Sequence, residues 1–244
     1  MQEQPSPHRS PRRLVKGLVL LLVLAVCMVF LVYAPIFTLQ HISLDGTQQL
    51  KEQDVWQIAG ARRGEPLFTV KTDDITHRLE EDLRVEHATV RRVLPDTLAV
   101  HIEERRALAS VATDYGYADI DQTGKIIAAR RSLGQMKLPL ITGYRLHEEY
   151  LGDDIEDDTV KRVLTFLARL SPEAIASLSE VAILGEGQIT AYTAGAVQIR
   201  LGSLDRIEAQ AKLTQGFLED QKTATHPVEY VDFTYESPFI KLKQ

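Results

Sequence analysis

The sequence predicts an α+β protein in which an N-terminal single transmembrane helix precedes two mixed α+β domains. Three observations support this prediction. Residues 17–39 form a run without any charged side chain. Residues 37–105 alternate between short strand and short helix patterns. Residues 106–244 contain several short strands and two amphipathic helices, which is typical of a domain built on an extended sheet.

The uncharged run has the length of a membrane-spanning helix. Its 23 residues would extend roughly 34 Å, and the hydrocarbon core of a bilayer is about 30 Å thick. A cleaved signal peptide is the alternative, although its apolar region is usually shorter and Pro35 would directly follow a cut after Ala34. Basic residues precede the run, which predicts a cytoplasmic N-terminus and extracytoplasmic domains. The Pro-, Ser- and Arg-rich tail, 1–16, is predicted to be cytoplasmic and disordered.

Charge and cysteine content exclude several functional classes. The 244 residues carry a formal net charge of −6, while the tail has four basic side chains and one acidic side chain. The part beyond the tail is therefore more acidic than the whole, and it lacks the basic composition that nucleic-acid binding requires. The single cysteine, Cys27, lies inside the predicted span, so an intramolecular disulfide and a cysteine-rich zinc site are both excluded.

The first domain, 37–105, is predicted to have the element order β-α-α-β-β. Apolar and polar residues alternate over 41–45, which indicates a strand. A short helix follows and stops at Gly60, and a second helix begins with Thr72 as its cap. Two further strands flank the turn at 95–97.

Four segments of this domain carry a family resemblance: FTLQHISLDG (37–46), GARRGEPLFTV (60–70), DDITHRLEEDL (73–83) and VRRVLPDTLAVHIEERRALA (90–109). Together they resemble the POTRA domain of FtsQ/DivIB bacterial cell-division proteins. Leu94 stands where the family usually has tryptophan, and Ala107 stands where proline is common. A POTRA fold alone does not fix a function, because such domains also serve outer-membrane barrels.

The second domain, 106–244, is predicted to be rich in short strands. The predicted elements are a hairpin around 122–124, a helix over 160–170, strands over 179–184, 188–193 and 196–201, a helix over 203–220 and a final strand over 229–236. Four segments resemble the FtsQ/DivIB-type β domain: ADIDQTGKI (118–126), LPLITG (138–143), VQIRLGSLDRIEAQAKL (197–213) and YVDFTYES (230–237). The spacing of Asp119, Asp121 and Thr123 suggests a calcium loop only superficially, because its twelfth position is Arg130 rather than glutamate.

The sequence predicts no catalytic, cofactor or metal site. Its seven histidines form no HExxH pair, and it has no P-loop, GxGxxG or nucleophile motif. The acidic cluster at 153–158 precedes a helix, where carboxylates favour the helix dipole. Arg91-Arg92 and Arg105-Arg106 are expected to face solvent on strands, with a contact to an acidic partner as the alternative. Trp56 is expected in the core.

The resemblance implies a non-enzymatic scaffold of the divisome in the cytoplasmic (inner) membrane, at the division septum. Such a scaffold would bind the bitopic proteins FtsB/DivIC and FtsL, together with other septal components, and help regulate septal peptidoglycan synthesis. Two other functions stay open: a POTRA-type chaperone or export module of the envelope, and a membrane-anchored cell-wall enzyme. No barrel follows in support of the first, and no catalytic motif supports the second.

The predicted partner site is the final strand. It comprises Tyr230, Val231, Asp232, Phe233, Thr234, Tyr235, Glu236 and Ser237. A terminal strand is expected near or at a sheet edge, where unpaired backbone groups can take up a partner strand until Pro238, which lacks an N–H. The family resemblance points to the same strand as the receiver of FtsB/DivIC. We expect Tyr235 to be the anchor and Val231 and Phe233 to face the core, and the Arg91-Arg92 face is the next candidate.

Overall fold

The chain forms two structural units. The computed structural model describes residues 11–32, 35–133, 138–221, 227–235 and 237–243. The units cover 1–104 and 105–244, and each has its own hydrophobic core. We describe each unit by itself.

Helix α1 runs from Pro11 to Val32, and its residues whose burial is described, 15–26 and 29, are exposed. Within the described residues, no helix combines the length and the apolarity that a bilayer crossing requires. The span over 17–39 therefore stays a prediction. Residues 11–16, which were predicted to belong to a disordered tail, are helical. Leu39, which was predicted to lie in the span, is fully buried in the core of the first domain. The rest of the predicted tail lies outside the described residues.

The first domain has the predicted element order. Its elements are β1 (His41–Asp45), α2 (Glu52–Ala59), α3 (Thr72–Glu80), β2 (Val85–Val93) and β3 (Thr97–Glu104). The sheet order is β1-β3-β2, with β1 parallel and β2 antiparallel to β3. On β3, every second residue is buried, namely Leu98, Val100 and Ile102, because one face of the sheet supplies the core.

The helix ends of this domain follow local backbone chemistry. Gly60 adopts φ +62° and ends α2, as predicted, because glycine enters the left-handed region without steric cost. The predicted cap at Thr72 is wrong: Lys71 occupies the N-cap of α3. Trp56 is only partly buried, because its indole N–H donates to the Glu52 carboxylate at 3.0 Å and so stays near the surface.

The second domain is built on one nine-stranded sheet. Its elements are β4 (Ala109–Thr113), β5 (Tyr117–Ile120), β6 (Ile126–Arg130), β7 (Leu140–Leu146), α4 (Asp158–Leu167), α5 (Pro172–Ser177), β8 (Leu178–Ile183), β9 (Ile189–Thr193), β10 (Gln198–Gly202), α6 (Ile207–Gln221), β11 (Val228–Asp232) and β12 (Phe239–Leu242). The strand order is β12-β11-β10-β9-β8-β7-β4-β5-β6. The predicted hairpin, the three predicted strands and both predicted helices are present with shifted ends, whereas β4, β7, α5 and β12 were not predicted.

Helices α4 and α6 supply the helical side of the second core. The buried stripe of α4 includes Val163, Leu164 and Leu167, and α6 adds Ala211 and Leu218. The carboxylate of Asp157 accepts the N–H groups of Thr159 and Val160 at 2.9 Å and so caps α4. These bonds confirm the prediction for Asp157, whereas Asp154 in the same acidic cluster pairs with Lys125 instead.

A buried ion pair joins the beginning of the second domain to the turn between β5 and β6. The Arg105 guanidinium lies 2.5 Å from Asp121, and the two side chains are 9% and 2% exposed. The prediction that Arg105 faces solvent is therefore wrong. The Asp121 carboxylate also accepts bonds from Thr123 and from the Lys125 N–H, so its oxygens are occupied within the protein.

These contacts determine the charge state of Asp121. Burial disfavours the carboxylate and by itself would raise its pKa, but the hydrogen bonds from Thr123, Arg105 and the Lys125 N–H outweigh burial. The pKa of Asp121 is therefore held below its ordinary value. The carboxylate form that pairs with Arg105 is thereby favoured.

We expect Asp121→Ala to lower the free energy of unfolding by roughly 3 kcal/mol, because it breaks a buried ion pair and removes the hydrogen bonds that the Asp121 carboxylate accepts. The matched control is Asp154→Ala on the loop between β7 and α4, where a half-exposed carboxylate pairs with Lys125 at 3.0 Å and removal should cost less than about 1 kcal/mol. Urea unfolding of both variants measures the difference. Equal losses would contradict this account.

The same experiment has a pH dependence. A carboxylate whose folded-state pKa lies below its unfolded value near 3.9 stabilises fully above about pH 5 and loses this effect as the pH falls through the folded-state pKa. The difference between the wild type and Asp121→Ala should therefore shrink toward acid.

Candidate partner-binding site

The predicted final strand, 229–236, is shorter than predicted, and another strand follows it. Strand β11 ends at Asp232, whose carboxylate accepts the Thr234 N–H at 3.0 Å and turns the chain. A further strand, β12, begins directly after Pro238. Strand β11 pairs with β10 on one side and with β12 on the other, so it is second from the edge. Pro238 stands just before this edge strand, a position that proline tolerates because no ladder hydrogen bond needs its N–H.

The eight predicted site residues fall into three groups. Val231 and Phe233 are 0% and 2% exposed and face the core, as predicted. Tyr235 is 70% exposed. Tyr230 and Asp232 are partly buried, Thr234 and Ser237 are exposed, and Glu236 lies outside the described residues. The structure thus separates residues that hold the strand in place from residues that are available to a partner.

Sequence reasoning missed the residues of the edge itself. Phe239, Ile240 and Leu242 are 54%, 52% and 51% exposed, and Lys241 is exposed as well. In the described part of the chain, β12 pairs only with β11. The sequence pattern of β12 comprises four residues that directly follow a proline. Four residues are too few for alternation of apolar and polar side chains to indicate a strand.

The backbone of β12 alternates between its partner and its outer side. The Lys243 N–H donates to the Pro227 carbonyl at 2.8 Å, on the side of β11. Because successive residues of an antiparallel strand point their backbone groups to opposite sides, the N–H and C=O groups of Ile240 and Leu242 point outward. These groups can pair with an added strand.

An apolar groove lies on the α6 side of this edge. Ile240 stands opposite Val231 in the β11–β12 register, so both side chains lie on the same face of the sheet. The groove has a volume of about 590 Å³ and is lined chiefly by Leu213, Gly216, Phe217, Phe233, Pro238 and Ile240. Such a lining fits an apolar side chain of a partner.

The opposite face of the same edge is aromatic and basic. The Arg200 guanidinium carbon lies 4.0 Å from the centroid of the Tyr230 ring, and the Lys241 ammonium lies 5.6 Å from it. The ring of Phe239 is 5.9 Å from that of Tyr230. Lys241 also pairs with Glu229 at 3.0 Å. The two faces of the edge therefore differ in chemistry.

Tyr235 is held beside the edge by its preceding backbone. Arg206 donates to the Thr234 carbonyl at 3.0 Å and to the Phe233 carbonyl at 3.4 Å. Gly202, with φ +70°, allows close approach, since a Cβ there would lie 3.0 Å from the Thr234 methyl group. These contacts position the segment that carries Tyr235.

Other regions of the described chain have fewer features of a binding or catalytic site. In the part of the chain that the structure describes, no group of three His, Cys, Asp or Glu side chains is arranged to hold a metal ion. A cavity of about 700 Å³ contains the pair His147 and Asp114, 3.3 Å apart, without a cysteine or serine among its lining residues. At the Arg91-Arg92 face, Arg92 donates to the carbonyls of Leu67 and Val70, so its guanidinium is engaged in the fold.

Two family models match the chain. The model described as "POTRA domain, FtsQ-type" matches residues 37–105, and the model described as "Cell division protein FtsQ/DivIB, C-terminal" matches residues 109–233. The second match ends at Phe233, so Tyr235 and β12 lie beyond it. The assignment of a binding site to the β12 edge therefore depends on the geometry of this chain.

Individual relatives agree with the family models. Cell division protein FtsQ of Geotalea daltonii is 31% identical over 214 residues, which cover 85% of this chain and 76% of the relative. Cell division protein DivIB of Clostridium botulinum is 19% identical over 234 residues, or 93% of this chain and 91% of the relative. The solved extracytoplasmic domain of DivIB from Geobacillus stearothermophilus is 13% identical and covers 48% of this chain and 96% of its own, with a TM-score of 0.35. That score is too low to support a comparison of folds.

Proposed function

This chain belongs to the FtsQ/DivIB family of bacterial cell division proteins, and from that premise we propose that it is a non-enzymatic scaffold of the divisome. It binds bitopic division proteins of the FtsB/DivIC and FtsL kinds and helps regulate septal peptidoglycan synthesis. The observation that carries the binding part is the exposed strand β12, with its outward backbone groups and its apolar groove. An exposed edge strand takes up an extended partner segment readily.

We further propose that the part of the uncharged run 17–39 that precedes the first domain anchors the protein in the cytoplasmic membrane, because Leu39 itself is buried in the core of that domain, and that the two domains lie outside the membrane, at the septum. The support comes from the sequence: 23 residues without a charge, preceded by Arg9, Arg12, Arg13 and Lys16. A single-pass protein of this topology would present its second domain to the extracytoplasmic parts of bitopic partners.

The partner segment adds to the outer side of β12 as a tenth strand. Its backbone pairs with the N–H and C=O groups of Ile240 and Leu242. Because side chains of a strand alternate between faces, every second side chain of the segment lies toward the groove beside Phe217 and is apolar. The remaining side chains lie toward Phe239 and Lys241.

The other end of the sheet supports this choice of edge. At β6 the Ile126 N–H donates to the Asp153 carbonyl at 2.9 Å, and the Gly152 N–H donates to the Ile126 carbonyl at 2.8 Å. The loop at 150–155 therefore covers the beginning of β6. Strand β12 has no comparable cover within the described residues, so it is the better site for strand addition.

Leu242→Pro tests strand addition directly. Proline removes the outward N–H of residue 242 but leaves the Lys243 N–H, which donates to Pro227, in place. We expect roughly a tenfold or greater loss of affinity for the soluble part of an FtsB/DivIC-like partner, measured by calorimetric titration. Leu242→Val is the control, because it keeps the N–H and should bind nearly as well as the wild type.

A variant that binds normally with proline at 242 would contradict strand addition at this edge. A shortened chain that lacks 237–244 gives a second test, since it removes β12 but keeps the buried Val231 and Phe233. Removal of 230–244 would be uninformative, because it takes both of these core residues away.

Tyr235→Ala tests the anchor. Exposed aromatic side chains that become buried at the centre of an interface commonly contribute about 2 kcal/mol or more, so the affinity should fall by a factor of roughly 30. The matched control is Tyr115→Ala, a tyrosine that is 92% exposed near strand β4. Equal affinities of the two variants would remove Tyr235 from the site.

A further inference from the structure

One end of the POTRA domain exposes a cluster of apolar side chains. Ile36, Phe68, Val93 and Leu94 are 64%, 42%, 47% and 57% exposed. We call these four residues the proximal patch, because they lie where the chain enters the domain after α1. They take no part in the core of the domain.

Backbone contacts bring the three segments of the patch to the same end. The rings of Phe37 and Phe68 are 5.6 Å apart, and the Leu67 N–H donates to the Phe37 carbonyl at 2.8 Å. Arg92 donates to the Leu67 carbonyl at 3.1 Å, which fixes the end of β2 beside this segment. The Gln40 N–H donates to the Asp96 carbonyl at 2.8 Å and holds the turn after Leu94 there as well.

The sheet register identifies the opposite end of the domain. His41 pairs with Thr97 at the proximal end, and Asp45 pairs with His101 at the other end of the same ladder. Beyond Asp45, the N–H groups of Gln48 and Gln49 donate to the Glu104 carboxylate. That distal end is polar, and Gln48 is exposed there.

The proximal patch also has basic neighbours. Arg91 and Arg92 precede Val93 on β2, and Lys71 follows the segment that contains Phe68; all three side chains are exposed. Lys71 lies 3.6 Å from Asp74, an exposed pair that is weak in water. Apolar side chains surrounded by arginine and lysine match the boundary between lipid tails and anionic head groups.

We propose that the proximal patch rests on the bilayer surface and binds anionic phospholipid. Ile36, Phe68, Val93 and Leu94 enter the boundary of the acyl region, and Arg91 and Lys71 contact head-group phosphates. This inference rests on the proposed anchor within 17–39. Helix α1 ends at Val32 and the next described residue is Pro35, so their Cα atoms are at most about 11 Å apart.

The test uses the full chain in vesicles that contain phosphatidylglycerol, with Cys27→Ala as background. An environment-sensitive fluorophore is attached at Leu94→Cys or, as the matched control at the distal end, at Gln48→Cys. We expect blue-shifted emission at position 94 and quenching by aqueous iodide about threefold weaker than at position 48. Equal quenching at the two positions overturns the proposal. The same result is expected if a protein partner, rather than lipid, covers the patch.

Two further arms separate the possible failures. In vesicles of phosphatidylcholine alone the shielding at position 94 should weaken, and undiminished shielding overturns the role of Arg91 and Lys71. Carbonate extraction of the same vesicles tests the anchor. A chain that is extracted refutes the anchor and the patch together, whereas a retained chain with position 94 in water refutes the patch alone.

Discussion

Backbone pairing at the end of the nine-stranded sheet determines how the second domain can work. A strand inside a sheet satisfies its N–H and C=O groups on both sides, and a terminal strand leaves one row to water or to a partner. Strand β12 is in the second situation, whereas the beginning of β6 is covered by the loop at 150–155. The two ends of the same sheet therefore differ in what they can bind. The β12 end combines outward backbone groups with an apolar groove.

The edge depends on residues that a partner would not touch. Val231 and Phe233 bury β11 against α6, where the rings of Phe217 and Phe233 meet edge to face at 6.4 Å. Strand β11 in turn gives β12 a rigid partner. Arg206 and Gly202 hold the bend that presents Tyr235. The residues that stabilise the domain and the residues proposed to bind the partner are thus different neighbours. A substitution can therefore change the stability of the domain without changing its affinity for the partner, or the reverse.

Much of the fold follows from the sequence because its determinants are local. Alternation in β3, the glycine that ends α2 and the apolar stripe of α4 each predict their element from a few consecutive residues. One failed prediction depends on a contact between distant residues, and another depends on a local turn inside an alternating pattern. Arg105 lies in a polar pattern, and only its pairing with Asp121 across sixteen positions explains its burial. Residues 229–236 alternate correctly, but the Asp232 turn breaks the strand after its fourth residue in that range.

From the sequence, the partner-binding site could be located only to β11, the strand next to the edge strand. Sequence reasoning found β11 and the exposure of Tyr235, and it correctly assigned Val231 and Phe233 to the core. It missed β12, because four residues after a proline carry too little pattern to indicate a strand. The family resemblance added no correction there, since the match to the C-terminal family model ends at Phe233.

Amide hydrogen exchange tests strand addition most directly, because it reports each backbone N–H of β12 separately. The outward N–H groups of Ile240 and Leu242 should exchange rapidly in the isolated protein and slow by roughly tenfold or more when the soluble part of the partner is bound. The Lys241 N–H, which points toward β11, should change much less. Unchanged exchange at residues 240 and 242 in a saturated complex would contradict the account.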